Sequence, residues 1–161
     1  ARSIANYGST EKYVHLYQGI NSRLDELQAA VLSIKLSRLD KDNARRREIA
    51  QSYKENIDWQ RLGLQSTVHT DHINEANVFH IFPVFSPRRN ELQRYLTQCG
   101  ISTQIHYPIP PHRQEALKKE YGMQQLPITE RIHNEELSLP ISPLLTNEET
   151  EHIINRINAF I

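Results

Sequence analysis

The chain has 161 residues, a length typical of one domain and sufficient to close a hydrophobic core. Its 19 basic and 19 acidic residues balance to a formal charge of zero, which argues against a general nucleic-acid-binding protein. The single cysteine, Cys99, excludes an internal disulfide, and no apolar run approaches the roughly 20 residues that span a bilayer, so we expect a cytoplasmic protein.

Residues 1–21 predict a short helical end followed by an irregular loop. Four aromatic or imidazole side chains, Tyr7, Tyr13, His15 and Tyr17, fall in this short stretch together with glycines. Ordering a loop costs conformational entropy, so a loop this rich in rings is expected to pack against something.

A helical pattern begins after Ser22, which is a suitable N-cap residue. One apolar stripe follows at helical spacing, and a second continues it, which predicts one long helix or two with a break near Asp40, over about 23–57. The first stripe is Leu24, Leu27, Val31 and Ile34, and the second is Ile49, Ala50, Tyr53 and Ile57.

The polar stretch 58–77 has loop composition and holds a group of potential metal ligands, His69, Asp71, His72 and Glu75. No second ligand cluster at a defined spacing accompanies them, so we expect no metal site.

Residues 78–105 predict a strand, a helix and a second strand. Val78–Phe85 is rich in aromatic and branched residues, and its Pro83 indicates an edge strand or a bulge. Ser86 and Pro87 favour a helix start, Gly100 favours its end, and 101–105 alternates like a short strand. The three elements indicate a small sheet covered by helices.

The segment His106–His112 contains three prolines and cannot form a regular helix. A stiff loop that carries His, Tyr and His after a strand is either a ligand-binding loop or a rigid turn with packed rings. Beyond it we expect short helices near 113–121 and 127–136, and an extended segment at 137–141.

The last helix begins with a capping box, Thr146 with Glu149, and its apolar stripe should dock it on the core. That stripe comprises Ile153, Ile154, Ile157, Phe160 and Ile161.

From the residues alone the chain is an α+β domain with two polar, aromatic loops, 7–21 and 106–112. It has no Gly-rich phosphate loop, no Walker lysine and no nucleophile elbow, so pattern and composition do not name an activity.

Two motifs supply a resemblance. Gly19–Ala30 has the form G-x-N-x-R-x-x-x-L-Q-A-A, and His106–Gln114 has the form H-Y-P-x-P-x-H-x-Q. Both resemble motifs of the DegT-type sugar aminotransferases, in the order that the family has them. Further matching segments are Asn6–Ser9, Lys12–Tyr13, Lys35–Leu36, Leu39–Asp40, Leu137–Pro140 and Leu145–Glu149.

The resemblance implies the type I aminotransferase fold, pyridoxal 5'-phosphate as cofactor, and a homodimer that takes a nucleotide-sugar substrate. It is strongest to enzymes that aminate C-3 of a nucleotide-linked keto-6-deoxyhexose with glutamate as donor, in polysaccharide or glycoside biosynthesis. Residues 1–161 then correspond to the small C-terminal domain, with 1–21 as an active-site loop, 22–57 as the long helix and 78–161 as the sheet-and-helix unit.

Individual residues carry over by their place in the motifs. Asn21 matches the asparagine that reaches across the dimer to the cofactor phosphate, while Arg23 is expected to form a structural ion pair. The substrate-binding residues implied by the resemblance are Tyr13, His106, Tyr107 and His112; the role of His15 stays open.

The family's Schiff-base lysine lies upstream of the matched region, so we expect no catalytic residue in this chain and no activity or cofactor binding by residues 1–161 alone. The first residue is not methionine, which fits a fragment. Two alternatives stay open: a non-catalytic binding or dimerisation module, and a sugar dehydratase of the same family with histidine in place of the lysine.

Overall fold

A computed structural model describes residues 1–22, 24–66 and 77–161. The chain divides into two compact units, residues 1–40 and residues 41–161, which are described one at a time. Arg23, with its expected ion pair, and the ligand group around His69 lie outside the described residues.

The first unit opens with a small antiparallel hairpin of β1 (Ser9–Glu11) and β2 (Val14–His15). Helix α1 (Glu26–Leu36) follows, and the side chain of Asp25 caps it by accepting the Leu27 N–H. The expected cap at Ser22 is therefore wrong. The Ser22 N–H donates to the carbonyl oxygen of Ala5, which holds Ser22 against the opening segment, and the helix starts later.

The sequence predicted one long helix or two helices with a break near Asp40, and the structure has two helices. Helix α1 ends at Leu36 and α2 spans Leu39–Asn56. The interruption falls at Ser37 and Arg38, just before the expected position. Ser37 Oγ donates to the Ile34 carbonyl and the Arg38 N–H donates to Lys35, so tight three-residue bonds close the last turn of α1.

The two apolar stripes have different environments. The second is confirmed as core, because Ile49, Ala50, Tyr53 and Ile57 are at most 4% exposed. Three residues of the first, Leu27, Val31 and Ile34, lie on α1, which buries none of its residues in the described part of the chain. Leu27 is 79% exposed and Ile34 is 68% exposed, so the same periodicity that fills a core in α2 leaves an apolar face open in α1.

The second unit is built on a three-stranded antiparallel sheet of β3 (Gln65–Ser66), β4 (Phe82–Phe85) and β5 (Glu136–Leu139). The expected edge position of Pro83 is wrong because β4 is the central strand. Among the described residues, β3 pairs with Val84 and Phe85, and Pro83 pairs with Ser138 of β5.

Two predicted strands are shorter than expected. The first begins at Phe82 rather than Val78, and Phe79 before it has a left-handed backbone with φ of 47°. The stretch 101–105 reduces to a single bridge in which Gln104 and Ser138 exchange two backbone hydrogen bonds. The intervening helix, α4 (Arg89–Gln98), is confirmed and ends before Gly100, which has φ of 79°.

The other helices are short except the last. They are α3 (Trp59–Leu62), a 3-10 turn at Pro111–Arg113, α5 (Lys118–Tyr121), α6 (Pro127–Glu135) and α7 (Asn147–Asn158). The expected helix near 113–121 is thus only its final turn, whereas the capping box of Thr146 and Glu149 at the start of α7 is confirmed.

One core fills the second unit, between the sheet and the helices α2, α4 and α7. Phe82, Val84, Leu92, Leu137 and Ile157 are all fully buried in it. The residues of the predicted α7 stripe are buried except the last one, Ile161, which is 95% exposed beyond the helix end. The architecture is mixed α+β, as predicted, and no helix within the described ranges is long and apolar enough to cross a membrane.

Candidate cofactor and substrate site

In the first unit, Asn21 is held by the backbone on both sides. The Ile20 N–H donates to Ile4 at 2.8 Å and the Ser22 N–H donates to Ala5 at 2.9 Å. Asn21 itself forms a bridge with Asn6, although its side chain is exposed. The local backbone therefore fixes the position of the Asn21 main chain.

Two glycines make that arrangement possible. A Cβ atom at Gly19 would lie 2.1 Å from the Gly8 nitrogen, and one at Gly8 would lie 1.7 Å from the Tyr17 carbonyl oxygen. Gly8 also has φ of 76°, a conformation that side chains disfavour. The opening segment and the Gly19–Ser22 segment approach each other only because both positions lack a side chain.

A cleft of about 850 Å³ opens in the same unit, and its lining includes Ser22, the residue after Asn21. Its lining includes one guanidinium group and four hydroxyl side chains, which are donors suited to phosphate oxygens. The lining residues are Arg2, Ser3, Ala5, Asn6, Ser9, Thr10, Ser22 and Leu24. These groups fit the phosphate of the cofactor that the resemblance implies, with Asn21 at the neighbouring position to Ser22.

Tyr13 lies at the tip of the β1–β2 hairpin. Its ring is 83% exposed, its φ is 68°, and the Lys12 ammonium group lies 5.1 Å from its centroid. The hairpin thus presents a large amphipathic ring to the outside, in a position where it could contact a ligand or a partner surface.

In the second unit, His106 is fixed by two side chains of β5. Its backbone N–H donates to Glu136 Oε2 at 2.6 Å, and its ring nitrogen Nδ1 lies 2.8 Å from Ser138 Oγ. Ser138 Oγ in turn donates to Glu136 Oε1 at 2.6 Å. Glu136 and Ser138 are 3% and 5% exposed, so this network is shielded from water and its geometry is well defined.

His106 also lines a polar cleft of about 250 Å³. Gln104 and Ser138 from the bridged strands contribute to the same lining, as does His80 from the segment before β4. Imidazole, amide and hydroxyl groups are the side chains that bind sugar hydroxyls by exchanging hydrogen bonds.

Tyr107 extends outward from the same loop. Its side chain is 66% exposed, and its ring meets the His106 ring edge to face, with centroids 5.5 Å apart. The Tyr107 carbonyl oxygen contacts His133 Nδ1 on α6. The loop backbone is therefore anchored to α6 while the phenol ring remains accessible.

His112 is placed differently from the other loop residues. It is only 4% exposed, and its Nε2 lies 2.9 Å from Glu130 Oε1 on α6. Arg113 donates to the same carboxylate oxygen at 2.9 Å, and these bonds, the His112 bond first, hold the pKa of Glu130 at about 2. This cluster ties the 3-10 turn to α6, which suits a residue that supports the loop.

The structure brings His106 and Tyr107 together, with His112 at the far end of the same loop. Tyr13 and Asn21 belong to the other unit and are described there. Sequence reasoning missed Glu136 and Ser138, although two polar residues two apart in an otherwise apolar strand were a usable signal, since alternate residues share a face.

All six lysines fall within the described ranges. A free amine near neutral pH needs a desolvated environment. Lys54 is half-buried on α2, and the others are exposed: Lys12, Lys35, Lys41, Lys118 and Lys119.

Comparison with known proteins agrees with these features. The chain matches the DegT/DnrJ/EryC1/StrS aminotransferase family over residues 1–158 and belongs to that family. The predicted resemblance is confirmed, including its placement in the C-terminal portion of the relatives.

Curated relatives give the range of activities in the family. A dTDP-3-amino-3,6-dideoxy-alpha-D-galactopyranose transaminase from Aneurinibacillus thermoaerophilus is 50% identical over 157 residues, covering 98% of this chain and 42% of the relative. A dTDP-3-amino-3,4,6-trideoxy-alpha-D-glucose transaminase from Streptomyces venezuelae is 40% identical over 162 residues, covering 99% and 41%. The chain thus spans about two fifths of the length of these relatives.

Solved structures show the same fold. The S. venezuelae protein DesV, in complex with a ketimine intermediate, superposes with a TM-score of 0.89 at 39% identity, over 98% of this chain and 42% of that one. The Bacillus subtilis protein NtdA with bound cofactor PMP gives 0.85 at 27% identity, over 96% and 37%. The α+β domain described here is therefore the small-domain portion of an aminotransferase fold.

Proposed function

We propose that this chain is the C-terminal domain of a pyridoxal-phosphate-dependent enzyme that transfers an amino group, with glutamate as donor, to a nucleotide-linked keto-deoxysugar. The observation that carries the proposal is the 50% identity over 98% of the chain to a dTDP-sugar transaminase. Two clefts lined by motif residues of the family, one in each unit, support it.

In the proposed enzyme the first unit holds the cofactor phosphate. Asn21 would donate its amide N–H to a phosphate oxygen, and Arg2 with the hydroxyls of Ser9, Thr10 and Ser22 would complete an anion site in the adjoining cleft. The cofactor supplies the electron sink for the amine transfer when it is bound.

The second unit would bind the sugar nucleotide. His106 and Tyr107 lie on one loop, with an imidazole in a polar cleft and an exposed phenol beside it. His112, which is buried against Glu130, would act on the substrate through the shape of the loop. Tyr13, on the hairpin of the first unit, is the remaining substrate-binding residue that the family resemblance implies.

The Schiff-base lysine of the proposed enzyme is supplied by residues outside 1–161. Five of the six lysines here are exposed, and the sixth is half-buried on α2. Residues 1–161 alone are then inactive and bind the cofactor poorly. We place the complete enzyme in the cytoplasm, as a homodimer that serves polysaccharide or glycoside biosynthesis.

The test is made on the full-length gene product. Incubation with glutamate and a dTDP-linked 3-keto-6-deoxyhexose should give 2-oxoglutarate and an amino sugar in equal amounts, and a borohydride-reducible absorbance of the cofactor. Loss of the sugar hydroxyl without amine incorporation would identify the dehydratase chemistry. A full-length product of this size that binds no cofactor would leave only the binding-module alternative.

Asn21 provides a residue-level test. Asn21→Ala removes one hydrogen bond to a charged phosphate oxygen and should weaken cofactor affinity about 10- to 150-fold. Asn21→Asp has nearly the same shape but places a negative charge beside the phosphate, so its affinity should fall further than that of Asn21→Ala. Equal affinity in Asn21→Asp and the unmodified enzyme would contradict a phosphate contact at this residue.

A further inference from the structure

The carboxylate of Glu136 and the hydroxyl of Ser138 form a buried chain of hydrogen bonds that ends on His106. Burying a carboxylate is costly unless donors satisfy its oxygens. Here each oxygen accepts one bond of 2.6 Å, Oε2 from the His106 N–H and Oε1 from the Ser138 hydroxyl. Both donors are thus committed to the carboxylate.

The protons of this chain can be counted. Ser138 has a single hydroxyl proton, which it donates to Glu136, so toward His106 it can only accept. The distance of 2.8 Å between Ser138 Oγ and His106 Nδ1 therefore requires a proton on Nδ1. A neutral imidazole carries one proton, which leaves a lone pair on Nε2.

Nε2, the ring nitrogen that bears the lone pair, belongs to His106, which lines the polar cleft of about 250 Å³. His106 lines this cleft with Ser102 and Gln104, and within the described ranges its Nε2 makes no hydrogen bond. An unengaged acceptor nitrogen in a polar cleft is suited to a hydroxyl group that donates to it.

We propose that Glu136 and Ser138 are positioning residues that hold His106 as its Nδ1–H tautomer, so that Nε2 accepts a hydrogen bond from a hydroxyl group of the sugar substrate. The identity of the hydroxyl donor rests on the function proposed above. The tautomer is a property of the chain itself and is tested without substrate.

The first experiment determines the tautomer of His106 by ¹⁵N NMR of the chain's imidazole rings, because protonated and bare ring nitrogens resonate apart. The measurement is made near pH 8, above the ordinary histidine pKa of about 6.5. Comparison with His106→Gln identifies the signals of this ring among the 8 histidines. We expect a protonated Nδ1 and a bare Nε2; the reverse pattern would overturn the proposal, since it places the proton on Glu136.

Substitutions give a sharper test because they predict opposite changes. In Glu136→Gln the amide oxygen takes the His106 N–H, so the amide NH₂ donates to Ser138, whose proton then turns to Nδ1. The His106 proton should move to Nε2. Ser138→Ala removes the acceptor and should give a mixture of tautomers, whereas Ser102→Ala, in the same cleft, should leave the Nδ1–H form. An unchanged His106 tautomer in Glu136→Gln would overturn the proposal that Glu136 and Ser138 set the position of the ring proton.

The second experiment uses the full-length enzyme. Ser138→Ala should raise KM for the nucleotide sugar about 3- to 10-fold, the loss of one oriented hydrogen bond, with kcat nearly unchanged. An unchanged KM together with a lost tautomer preference would contradict the substrate contact. The enzyme could instead lack any aminotransferase activity while His106 has the expected tautomer. That result would count against the proposed function but not against the positioning role of Glu136 and Ser138.

Discussion

The hydroxyl group of Tyr53 donates a hydrogen bond of 2.8 Å to the carbonyl oxygen of Pro140, which joins the last turn of α2 to the residue after β5. The Tyr53 side chain is fully buried, and its ring packs edge to face on Phe82, with centroids 5.1 Å apart. Pro140 also lines the polar cleft of His106. One buried phenol therefore links the core of the second unit to the wall of its candidate site.

Removal of this hydroxyl should destabilise the second unit. Tyr53→Phe keeps the ring but leaves the Pro140 carbonyl without this partner, so we expect a loss of about 1–2 kcal/mol and a melting temperature several degrees lower. Trp59, the only tryptophan, packs near Phe82 and reports unfolding by fluorescence. The exposed Tyr121→Phe is the matched control and should change stability by less than about 0.5 kcal/mol. Equal stability of the two variants would contradict a structural role for the bond.

The same residue makes the second unit sensitive to alkaline pH. Burial raises the pKa of Tyr53 well above the ordinary tyrosine value of about 10, because the charged phenolate would be desolvated. A raised folded-state pKa stabilises the fold below the unfolded pKa, and this contribution is lost as pH rises. From about pH 10 upward the free energy of unfolding should fall by up to about 1.4 kcal/mol per pH unit through Tyr53.

Tyr53→Phe isolates that contribution from the deprotonation of lysines. Urea titrations of both proteins between pH 9 and pH 11, followed by Trp59 fluorescence, should give curves that converge as the pH rises. Parallel curves over this interval would show that Tyr53 ionises equally well in the folded state.

Glu130 makes the loop after His106 sensitive to acid. The hydrogen bond from His112, then that from Arg113, lowers the pKa of Glu130 to about 2. A depressed folded-state pKa means that the stabilisation is present above the unfolded value of about 4.3 and is lost as pH falls toward 2. Stability should therefore decline over this interval, and Glu130→Gln should remove part of the decline.

The control for this change is Glu115→Gln, which removes a carboxylate that is 86% exposed and pairs only with Lys118 in the described part of the chain. Exposed pairs of this kind contribute little. Urea unfolding between pH 2 and pH 6 should therefore separate Glu130→Gln from Glu115→Gln. Superimposable curves for the two variants would argue against a special bond network at Glu130.

Local signals in the sequence predicted those parts of the fold that local interactions decide. The capping box at Thr146 and the glycine at position 100 were correctly located because each satisfies or ends a helix within a few residues. The helix cap at Ser22 was wrong because a contact with Ala5, far along the chain, fixes that residue instead. The position of Pro83 likewise depended on strand pairing, since β4 lies between β3 and β5.

The candidate site was predictable only in part. The motif loops supplied Asn21, His106 and Tyr107, but the partners that orient His106 come from a strand 30 residues later. Glu136 and Ser138 were not singled out because strand pairing, not sequence proximity, brings them to the loop. Similarly, His112 is buried because it contacts α6, and no local sequence pattern predicts that contact.

The apolar face of α1 should make the chain self-associate when it is isolated. Leu27, Val31 and Ile34 are 79%, 53% and 68% exposed and lie on one side of the helix, and patches of contiguous exposed apolar side chains associate in water. Sedimentation velocity should show a mass that rises with concentration. In the double variant Leu27→Lys and Ile34→Lys the rise should disappear, because two ammonium groups on the face oppose its burial against any apolar surface.

Ser33→Lys is the matched control, since it adds a charge on α1 away from the Leu27, Val31 and Ile34 stripe, at a residue whose hydroxyl donates to the Ala29 carbonyl. It should associate like the unmodified chain. A monomeric chain at high concentration would contradict the prediction outright, and equal association of both variants would place the contact elsewhere. Because α1 buries none of its residues in the described chain, neither variant should unfold it, so a changed mass reports the surface rather than the fold.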